Sequence, residues 1–177
     1  METFRNIVLT DSHIIKPFDC GTDDLNDFLF SDAKNNSRYL HYVTYIIETE
    51  SQTVAYYSLA NDSLNLSANF GMLEEISEIV DPCCFDIISS CKSLPAVKLG
   101  RLAVDRKYQS SGIGENILQS LFYSFTHGNK TGCQFMLVDA INVPRVISFY
   151  ERNGFELISA RDIGNSSRMM YRCLINI

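Results

Sequence analysis

The sequence predicts a mixed α/β protein, a single domain over residues 1–177 whose mostly antiparallel central sheet is flanked by helices. Paired runs of β-branched and aromatic residues are typical of strands, and runs with apolar residues at helical spacing follow several of them. The stretch QSSGIG (109–114) separates a strand-like run from a helical one. A length of 177 residues and a hydrophobic content of 46% are enough for one domain with its own core.

The N-terminal part begins with a strand, a helix and a hairpin. FRNIVLT predicts the strand, and GTDDLNDFLFSDA predicts a helix that Thr22 caps. Its apolar face contains Leu25 and Phe28. YVTYIIE (42–48) and VAYYSLA (54–60) are separated by TESQT, and we expect them to pair as an antiparallel hairpin.

Residues 65–95 form the least regular part of the sequence. MLEEISEIV predicts a short amphipathic helix that Pro82 ends, and CCFDIISSCKSL predicts another turn or two. The acidic side chains of this segment are Glu74, Glu75, Glu78, Asp81 and Asp86. We therefore expect an irregular acidic insertion on the surface, between two strands.

The pattern is clearer from residue 96 onward. AVKLGRLAV predicts a strand, and the glycine inside it, Gly100, is typical of a bulge or a close backbone approach. A helix follows the QSSGIG loop, and FMLVDA (135–140) is a buried strand. The next helix begins near Pro144 and ends at Gly154, and FELIS and MMYRCLI are the closing strands.

Charge and hydropathy exclude several classes of protein. The net charge of −6 argues against a nonspecific nucleic-acid binder. The charge is uneven, since residues 1–95 hold 5 Lys/Arg and 15 Asp/Glu, whereas residues 96–177 hold 10 Lys/Arg and 6 Asp/Glu. This distribution favours an anionic ligand on the C-terminal half, and the alternative is that the surface charge is simply uneven. No run is apolar and long enough for a membrane span, and the N-terminus has no signal-peptide core, so we expect a cytoplasmic protein.

Neither the cysteines nor the histidines have the spacing of metal ligands. Cys83 and Cys84 are adjacent, the other four cysteines are scattered, and the three histidines are far apart in sequence. Zinc sites usually show paired ligands at short spacing. We expect reduced thiols and no metal.

The QSSGIG loop has the features of a phosphate site. Glycines let the backbone curl, so that the unpaired N–H groups at the start of the following helix converge on an anion. A Rossmann fingerprint would need a third glycine and a place near the start of the chain, and a Walker loop would need Gly-Lys-Ser/Thr. The loop has neither pattern, and taken alone it also fits a simple turn into a helix.

The residues around the loop carry a resemblance. RLAVDRKYQSSGIGENIL, followed by FYERNGFEL, closely resembles the GCN5-related N-acetyltransferase (GNAT) family, from Ala96 to Leu174. The resemblance implies a single domain of that fold, in which a bulged strand opens a cleft for acetyl-CoA as co-substrate. It also implies an acyltransferase that moves acetyl to a primary amine.

The resemblance assigns roles to several residues. Backbone amides of the loop should bind the pyrophosphate, with Arg106 and Lys107 adding positive charge. The strand at Leu102 should pair with the pantetheine arm, and its N–H should stabilise the oxyanion. Asn142 should lie beside the arm. The residues implied at the cofactor are Leu102, Ala103, Val104, Gln109, Ser110, Ser111, Gly112, Ile113, Gly114 and Asn142.

Tyr150, in FYERNGF, matches the general acid of the family. The departing thiolate has a conjugate-acid pKa near that of a free thiol, about 8.5, so a tyrosine can protonate it. The alternative is a core aromatic on an apolar helix face. No general base stands out, since Asp139, Glu48 and His41 are candidates by residue type alone.

A narrower resemblance concerns the acceptor. PFDCGTDDLNDFL, LPAVKLGRLAVDRKYQSSGIG and LVDAINVPRVISFYERNGF together look like the acetyltransferase toxins of toxin–antitoxin pairs. Those toxins acetylate the α-amine of aminoacyl-tRNA and are neutralised by a ribbon-helix-helix antitoxin. A homodimer is also compatible with the resemblance, and no membrane is expected as a partner. Because the ester next to that amine lowers its pKa, a strong protein base is dispensable.

The acidity of the chain argues against this narrower interpretation, because such toxins are typically basic. The RNA surface would then have to come from scattered cations, namely Lys98, Arg101, Arg145, Arg152, Arg161, Arg168 and Arg172. Two alternatives stay open. One is acetyl transfer to a small-molecule amine or a protein N-terminus, and the other is a non-catalytic module that binds coenzyme A.

Overall fold

In a computed structural model of the chain, the described residues include seven strands that pair in one sheet. The structure describes residues 3–66, 72–79, 82–128, 131–159 and 162–175. The strands are β1 (Arg5–Val8), β2 (Val43–Glu48), β3 (Thr53–Asn65), β4 (Ser93–Val104), β5 (Phe135–Ile141), β6 (Glu156–Leu157) and β7 (Ser167–Cys173). Their order in the sheet is β1-β2-β3-β4-β5-β7-β6. The predicted α/β class is confirmed.

The described residues also contain six α-helices and two shorter helical segments. The α-helices are α1 (Asp23–Asp27), α2 (Ala33–Arg38), α3 (Met72–Ile79), α4 (Pro82–Ser89), α5 (Ile113–Thr126) and α6 (Pro144–Arg152). A π turn covers Phe28–Asp32, and a 3-10 turn covers Arg106–Tyr108. In the part of the chain that the structure describes, no helix has the length and apolar character needed to cross a bilayer.

By their contacts, the residues divide into two compact units. The first contains the described residues of 1–60 and 99–119. In it, β2 and β3 pair antiparallel from Val43 opposite Leu59 to Ile47 opposite Ala55, as the hairpin pattern predicts. β1 extends this pairing along the outer side of β2. The core of the unit is a cluster of buried side chains, including Leu9, Phe18, Cys20, Phe28, Leu29, Ala33, Ile46, Tyr56 and Ala103.

The predicted N-terminal helix is interrupted by the π turn. α1 runs directly into Phe28–Asp32 and then into α2, so the helical segment ends at Arg38 rather than near residue 33. The wider turn buries both Phe28 and Leu29. Thr22 does occupy the N-cap position, but its side chain accepts no capping hydrogen bond, and only its carbonyl bonds to the first turn.

The second unit contains the described residues of 61–98 and 120–177. β5 and β7 pair antiparallel over seven residues, from Phe135 opposite Cys173 to Ile141 opposite Ser167. Its core includes Ile76 of α3 and Ile88 of α4, which are 1% and 8% exposed. The described residues of 65–95 therefore include two helices that contribute to the core, whereas the sequence predicted an irregular insertion on the surface. Glu74, Glu78 and Asp86 are exposed, as expected, whereas the side chain of Glu75 and all of Asp81 lie outside the described residues.

Candidate functional site

The loop between β4 and α5 has the backbone shape of an anion site. Ser110 and Gly112 both adopt left-handed conformations, with φ of +62° and +82°. A β-carbon added at Gly112 would meet nothing within 4 Å, so the backbone angle, and not packing, requires the glycine. Alternating left-handed residues before a helix N-terminus make backbone N–H groups converge. α5 begins at Ile113, where the first N–H groups have no partner inside the helix.

The side chain of Gln109 is used to hold the loop in place. Its Nε2 donates to the carbonyls of Cys20, at 2.8 Å, and Val104, at 3.0 Å. Asp105 acts in the same way, because its carboxylate accepts from the N–H of Asp19 at 2.9 Å and of Lys107 at 3.0 Å. The side chains of Gln109 and Asp105 are therefore used to position the loop.

The segment Phe18–Gly21 is tied to the residues before the loop. Hydrogen bonds from Asn26 and from the N–H of Gly21, together with the charge of Arg106, hold the pKa of Asp19 below its usual value. The Arg106 Nη1 lies 3.4 Å from the Asp19 carboxylate. A β-carbon at Gly21 would lie 2.6 Å from the Arg106 Nε, so glycine lets the arginine cross the backbone. These contacts give a physical reason for the FDCG motif.

The middle of β4 carries the residues expected at the pantetheine arm. Ala103 is buried, while Leu102 and Val104 are half-buried. A β-carbon at Gly100 would lie 2.2 Å from the Tyr42 Cε1, so the glycine accommodates that ring. The bulge expected at Gly100 stays a prediction, since this close approach explains the glycine by itself.

Arg101 lies beside these residues and stacks on the π turn. Its Cζ is 5.0 Å from the centroid of the Phe28 ring, and its Nη1 donates to the carbonyl of Gly100 at 2.9 Å. The Phe28 ring stacks on Tyr56, with centroids 6.1 Å apart. The Arg101 Nε is buried without a hydrogen-bond partner. Within the described parts of the chain, Arg101 forms no salt bridge.

Tyr150, on α6 in the second unit, is buried among aromatic rings. The rings of Phe149 and Phe155 contact it edge-on, each with a centroid distance of 5.2 Å. Its hydroxyl donates to none of the residues that the structure describes. Burial raises the pKa of Tyr150 above its usual value, so the hydroxyl keeps its proton at neutral pH. The surroundings of Tyr150 are therefore compatible with both predicted roles, a general acid and a core aromatic residue.

The end of α6 is fixed by Arg172 on β7. The Arg172 Nη1 donates to the carbonyl of Gly154 at 3.0 Å, and its Cζ lies 5.6 Å from the Phe122 ring centroid. A β-carbon at Gly154 would lie 1.9 Å from that nitrogen, and the φ of Gly154 is +77°. Phe155 packs between the rings of Phe122 and Tyr150. The sequence does not predict this contact between Arg172 and Gly154, although it does predict that Gly154 ends the helix.

Asn142, the other predicted cofactor residue of the second unit, is exposed at the end of β5. Its Nδ2 donates to the carbonyls of Ile163 and Asn165, at 2.9 Å each. Its N–H donates to the carbonyl of Ser166 at 2.9 Å. The side-chain nitrogen thus ties down the loop before β7, and the side-chain oxygen is the group left for a ligand.

The candidate general bases have structural partners. Glu48, whose side chain is 3% exposed, forms ion pairs with Arg5 at 3.0 Å, His13 at 3.3 Å and Lys16 at 2.8 Å. Burial raises the pKa of Glu48, but the hydrogen bond and charge of Lys16, with the charges of His13 and Arg5, outweigh it and lower the pKa overall. Glu48 is thus a buried anion rather than a base.

The two remaining candidates, Asp139 and His41, are also engaged. Asp139 is paired with Lys98, and His41 contacts Asn36. Neither contact identifies a base.

The described residues contain no group of three or more His, Cys, Asp or Glu side chains that could hold a metal ion. Cys20, Cys91, Cys133 and Cys173 are free thiols. The side chains of Cys83 and Cys84 lie outside the described parts.

Comparison with known families decides the class of the protein. Residues 41–157 match the model of the acetyltransferase (GNAT) domain, which is more than half of the chain. The chain belongs to the GNAT family of acetyltransferases. The predicted family and enzyme class are therefore confirmed.

Several solved structures share the fold over nearly the whole chain. A tyrosine-to-phenylalanine mutant of KacT has a TM-score of 0.76 at 20% identity, over 98% of this chain and 96% of that one. AtaT complexed with acetyl-methionyl-tRNAfMet has a TM-score of 0.76 at 22% identity, over 97% and 95%. A mutant AtaT toxin bound to the C-terminus of the antitoxin AtaR and to acetyl-CoA has a TM-score of 0.71 at 21% identity, over 97% and 93%. At these identities, the likeness shows the GNAT fold.

The curated proteins that match this chain by sequence include another acetyltransferase. It is the tRNA(Met) cytidine acetyltransferase TmcA of Haemophilus ducreyi, 30% identical over 78 residues. The match covers 43% of this chain and 13% of TmcA, so this GNAT chain spans only a small part of that relative.

Proposed function

We propose that this GNAT protein transfers the acetyl group of acetyl-CoA to the α-amine of an aminoacyl-tRNA, as the toxin of a toxin–antitoxin pair. The observation that carries the proposal is the fold match over 97% of the chain to AtaT complexed with acetyl-methionyl-tRNAfMet. It adds to the FDCG, LGRLAVD and FYERNGF motifs, of which FDCG contacts the glycine loop through the hydrogen bond from Gln109 Nε2 to the Cys20 carbonyl. The match to part of TmcA also involves an acetyltransferase that acts on tRNA.

The acetyl donor is proposed to bind through the backbone of the 109–114 loop. Left-handed Ser110 and Gly112 direct N–H groups to one side, and the start of α5 adds a positive dipole end. Acetyl-CoA bound to the mutant AtaT toxin is support from a protein of the same fold. Arg106 is held by Asp19, so its charge beside the loop is only partly available to the pyrophosphate.

The chemical step is nucleophilic attack of the amine on the thioester carbonyl. The nitrogen lone pair forms the C–N bond as the carbonyl π pair moves to oxygen and makes an oxyanion. The oxyanion then re-forms the C=O bond, and the C–S bond breaks with its electron pair leaving on sulfur. The N–H of Leu102 is proposed to donate to the oxyanion. The thiolate takes the hydroxyl proton of Tyr150, and the proton lost by the amine restores the hydroxyl through solvent.

Burial of Tyr150 limits how this proton can move. A thiol has a pKa of about 8.5, and an ordinary tyrosine one of about 10, so full transfer to the thiolate is uphill by about 2 kcal/mol before burial adds to it. The Tyr150 pKa is raised further by burial. The hydroxyl therefore acts by donating a hydrogen bond as the C–S bond breaks, and it gives up its proton only as another replaces it.

The acceptor surface must come from cations that lack structural partners. Arg168 is buried and forms an ion pair with Asp162, and Arg172 donates a hydrogen bond to the Gly154 carbonyl. We therefore leave both out of the cations proposed to contact RNA. Lys98 is paired with Asp139. Arg161 lies outside the described residues, and the arginines that stay in the proposal are Arg101, Arg145 and Arg152.

A ribbon-helix-helix antitoxin and a homodimer belong to the same proposal. The fold neighbours include AtaT bound to the C-terminus of the antitoxin AtaR, and a KacTA–DNA complex. Co-expression with the product of an adjacent gene would show whether a stable complex forms and whether it suppresses acetyl transfer.

The acceptor can be tested by acetyl-CoA turnover on a panel of charged tRNA, a polyamine and peptides with free N-termini. The proposal predicts turnover on charged tRNA that falls steeply with salt, because phosphate contacts position the amine. Turnover restricted to the polyamine or the peptides would show that the acceptor is not tRNA, while the protein would still be an acetyltransferase. Acetyl-CoA binding without turnover on any acceptor would favour a non-catalytic module.

A further inference from the structure

The guanidinium of Arg101 is oriented from one side and left open on the other. Its Nη1 is bound to the Gly100 carbonyl at 2.9 Å, and the Phe28 ring supports its flat face at 5.0 Å. The opposite edge, formed by Nε and Nη2, has no partner within the described residues, and the Nε is buried. A buried N–H without an acceptor is rare in a native fold, and it calls for a ligand or a bound water.

That edge matches one kind of ligand. The Nε and Nη2 of an arginine present two parallel N–H groups, which a phosphate or carboxylate accepts in a bidentate manner. Arg101 forms no salt bridge with a described carboxylate. The guanidinium is also held rigidly, because Phe28 is itself stacked on Tyr56, whose hydroxyl donates to the Leu25 carbonyl at 2.7 Å. Little conformational entropy would be lost when an anion binds.

The position of Arg101 in β4 connects this edge to the reaction. The next residue is Leu102, whose N–H is proposed to bind the thioester oxygen, so the guanidinium is on the order of 10 Å from that N–H along the covalent chain. The 5′-phosphate of a 3′-terminal adenosine is separated from an esterified α-amine by a comparable length. The π turn that buries Phe28 is also a feature found frequently at functional sites.

We infer that Arg101 binds the phosphate on the 5′ side of the terminal nucleoside of the acceptor, and so selects an amine that is attached to RNA. The inference rests on the proposed function, since it names the acceptor group that this site recognises. Arg101 is a specificity-determining residue in this account, and acetyl-CoA binding does not depend on it.

The test compares two acceptors that differ by one phosphate, 3′-O-aminoacyl-adenosine and its 5′-phosphate. For the unmodified protein, the phosphate should raise kcat/KM about 10- to 100-fold. Arg101→Gln should abolish this gain and leave kcat/KM on the unphosphorylated acceptor within about twofold. Arg101→Lys keeps the charge but lacks the two parallel N–H groups of the guanidinium, so it should retain only part of the gain. Arg38→Gln is the matched control, because it removes the same charge from an exposed arginine paired with Asp11.

Each other outcome has a distinct meaning. Equal losses of kcat/KM on both acceptors with Arg101→Gln would show that Arg101 is structural. A loss of acetyl-CoA affinity in calorimetry would show that Arg101 binds a phosphate of coenzyme A. Either result overturns the inference. If neither nucleoside is acetylated but charged tRNA is, Arg101→Gln should reduce the salt dependence of kcat/KM by about 0.7 in log–log slope, and an unchanged slope overturns the inference. If no aminoacyl acceptor is acetylated at all, the proposed function itself is wrong.

Discussion

Replacing Tyr150 by phenylalanine removes a single oxygen atom from α6 and should separate catalysis from folding. The ring would keep its edge-on contacts with Phe149 and Phe155, at centroid distances of 5.2 Å. Within the described residues, no hydrogen bond to the hydroxyl is lost. The free energy of unfolding should therefore change by no more than about 0.5 kcal/mol.

The effect on the reaction should be much larger. Loss of a positioned proton donor lowers kcat by about 10²- to 10⁴-fold, which corresponds to about 2.7–5.4 kcal/mol of transition-state stabilisation. The assay is the release of free thiol from acetyl-CoA at saturating acceptor, with acetyl-CoA affinity measured separately by calorimetry. Affinity should stay within about twofold, because the donor is proposed to bind through the 109–114 backbone.

Tyr123→Phe is the matched control, because Tyr123 is 65% exposed on α5. It should leave kcat and stability unchanged. Since burial raises the pKa of Tyr150, the unmodified enzyme should show no loss of activity from ionisation of this tyrosine below about pH 10. Full activity of Tyr150→Phe, or a loss explained by weaker acetyl-CoA binding, would refute the proton-donor role.

Three further predictions test the loop, the buried ion pairs and the end of α6. Gly112→Glu should weaken acetyl-CoA binding by at least about tenfold in calorimetry, since it adds negative charge at the loop, while its cost in stability stays near the roughly 1–2 kcal/mol of a side chain at positive φ because nothing lies within 4 Å of the new β-carbon. Unchanged affinity would discard the loop as the site. Glu48→Gln should lower the free energy of unfolding by about 1–3 kcal/mol at pH 7. Because the folded pKa of Glu48 is lowered, its contribution is present above the unfolded pKa of about 4.3 and is lost as the pH falls through the folded pKa; a pH-independent difference in urea denaturation would contradict this. Gly154→Ala should cost more stability than Gly128→Ala, although both have positive φ, because only at Gly154 does the new β-carbon meet the Arg172 guanidinium; equal costs, near the roughly 1–2 kcal/mol of the backbone alone, would show that the contact relaxes freely.

Local signals predicted much of the fold. The alternating run at 42–48 and its partner at 54–60 pair as expected. Pro144 in the first turn and Gly154 after the last turn bound α6, since each residue fits only one end of a helix. The glycine loop could be placed between a strand and a helix from the sequence because Ser110–Gly112 carries the turn chemistry itself.

The features that the sequence did not reveal depend on residues far apart in the chain. Nothing local in the sequence shows that Gly100 accommodates the Tyr42 ring. The side chain of Gln109 bonds to Cys20, 89 positions earlier in the chain. The π turn at Phe28–Asp32 inserts into an otherwise regular helical pattern, and a 3.6-residue period does not record it. The open edge of Arg101 likewise becomes visible only when its partners are known.

The most direct test of the account is the identity of the acetylated product. Charged tRNA is incubated with the protein and isotopically labelled acetyl-CoA, then digested with ribonuclease, and the 3′-terminal nucleoside is examined by mass spectrometry. The account predicts a labelled N-acetyl-aminoacyl-adenosine, formed by the unmodified protein and strongly reduced with Tyr150→Phe. Label absent from this nucleoside, under conditions in which a polyamine or a peptide N-terminus is acetylated, would contradict it.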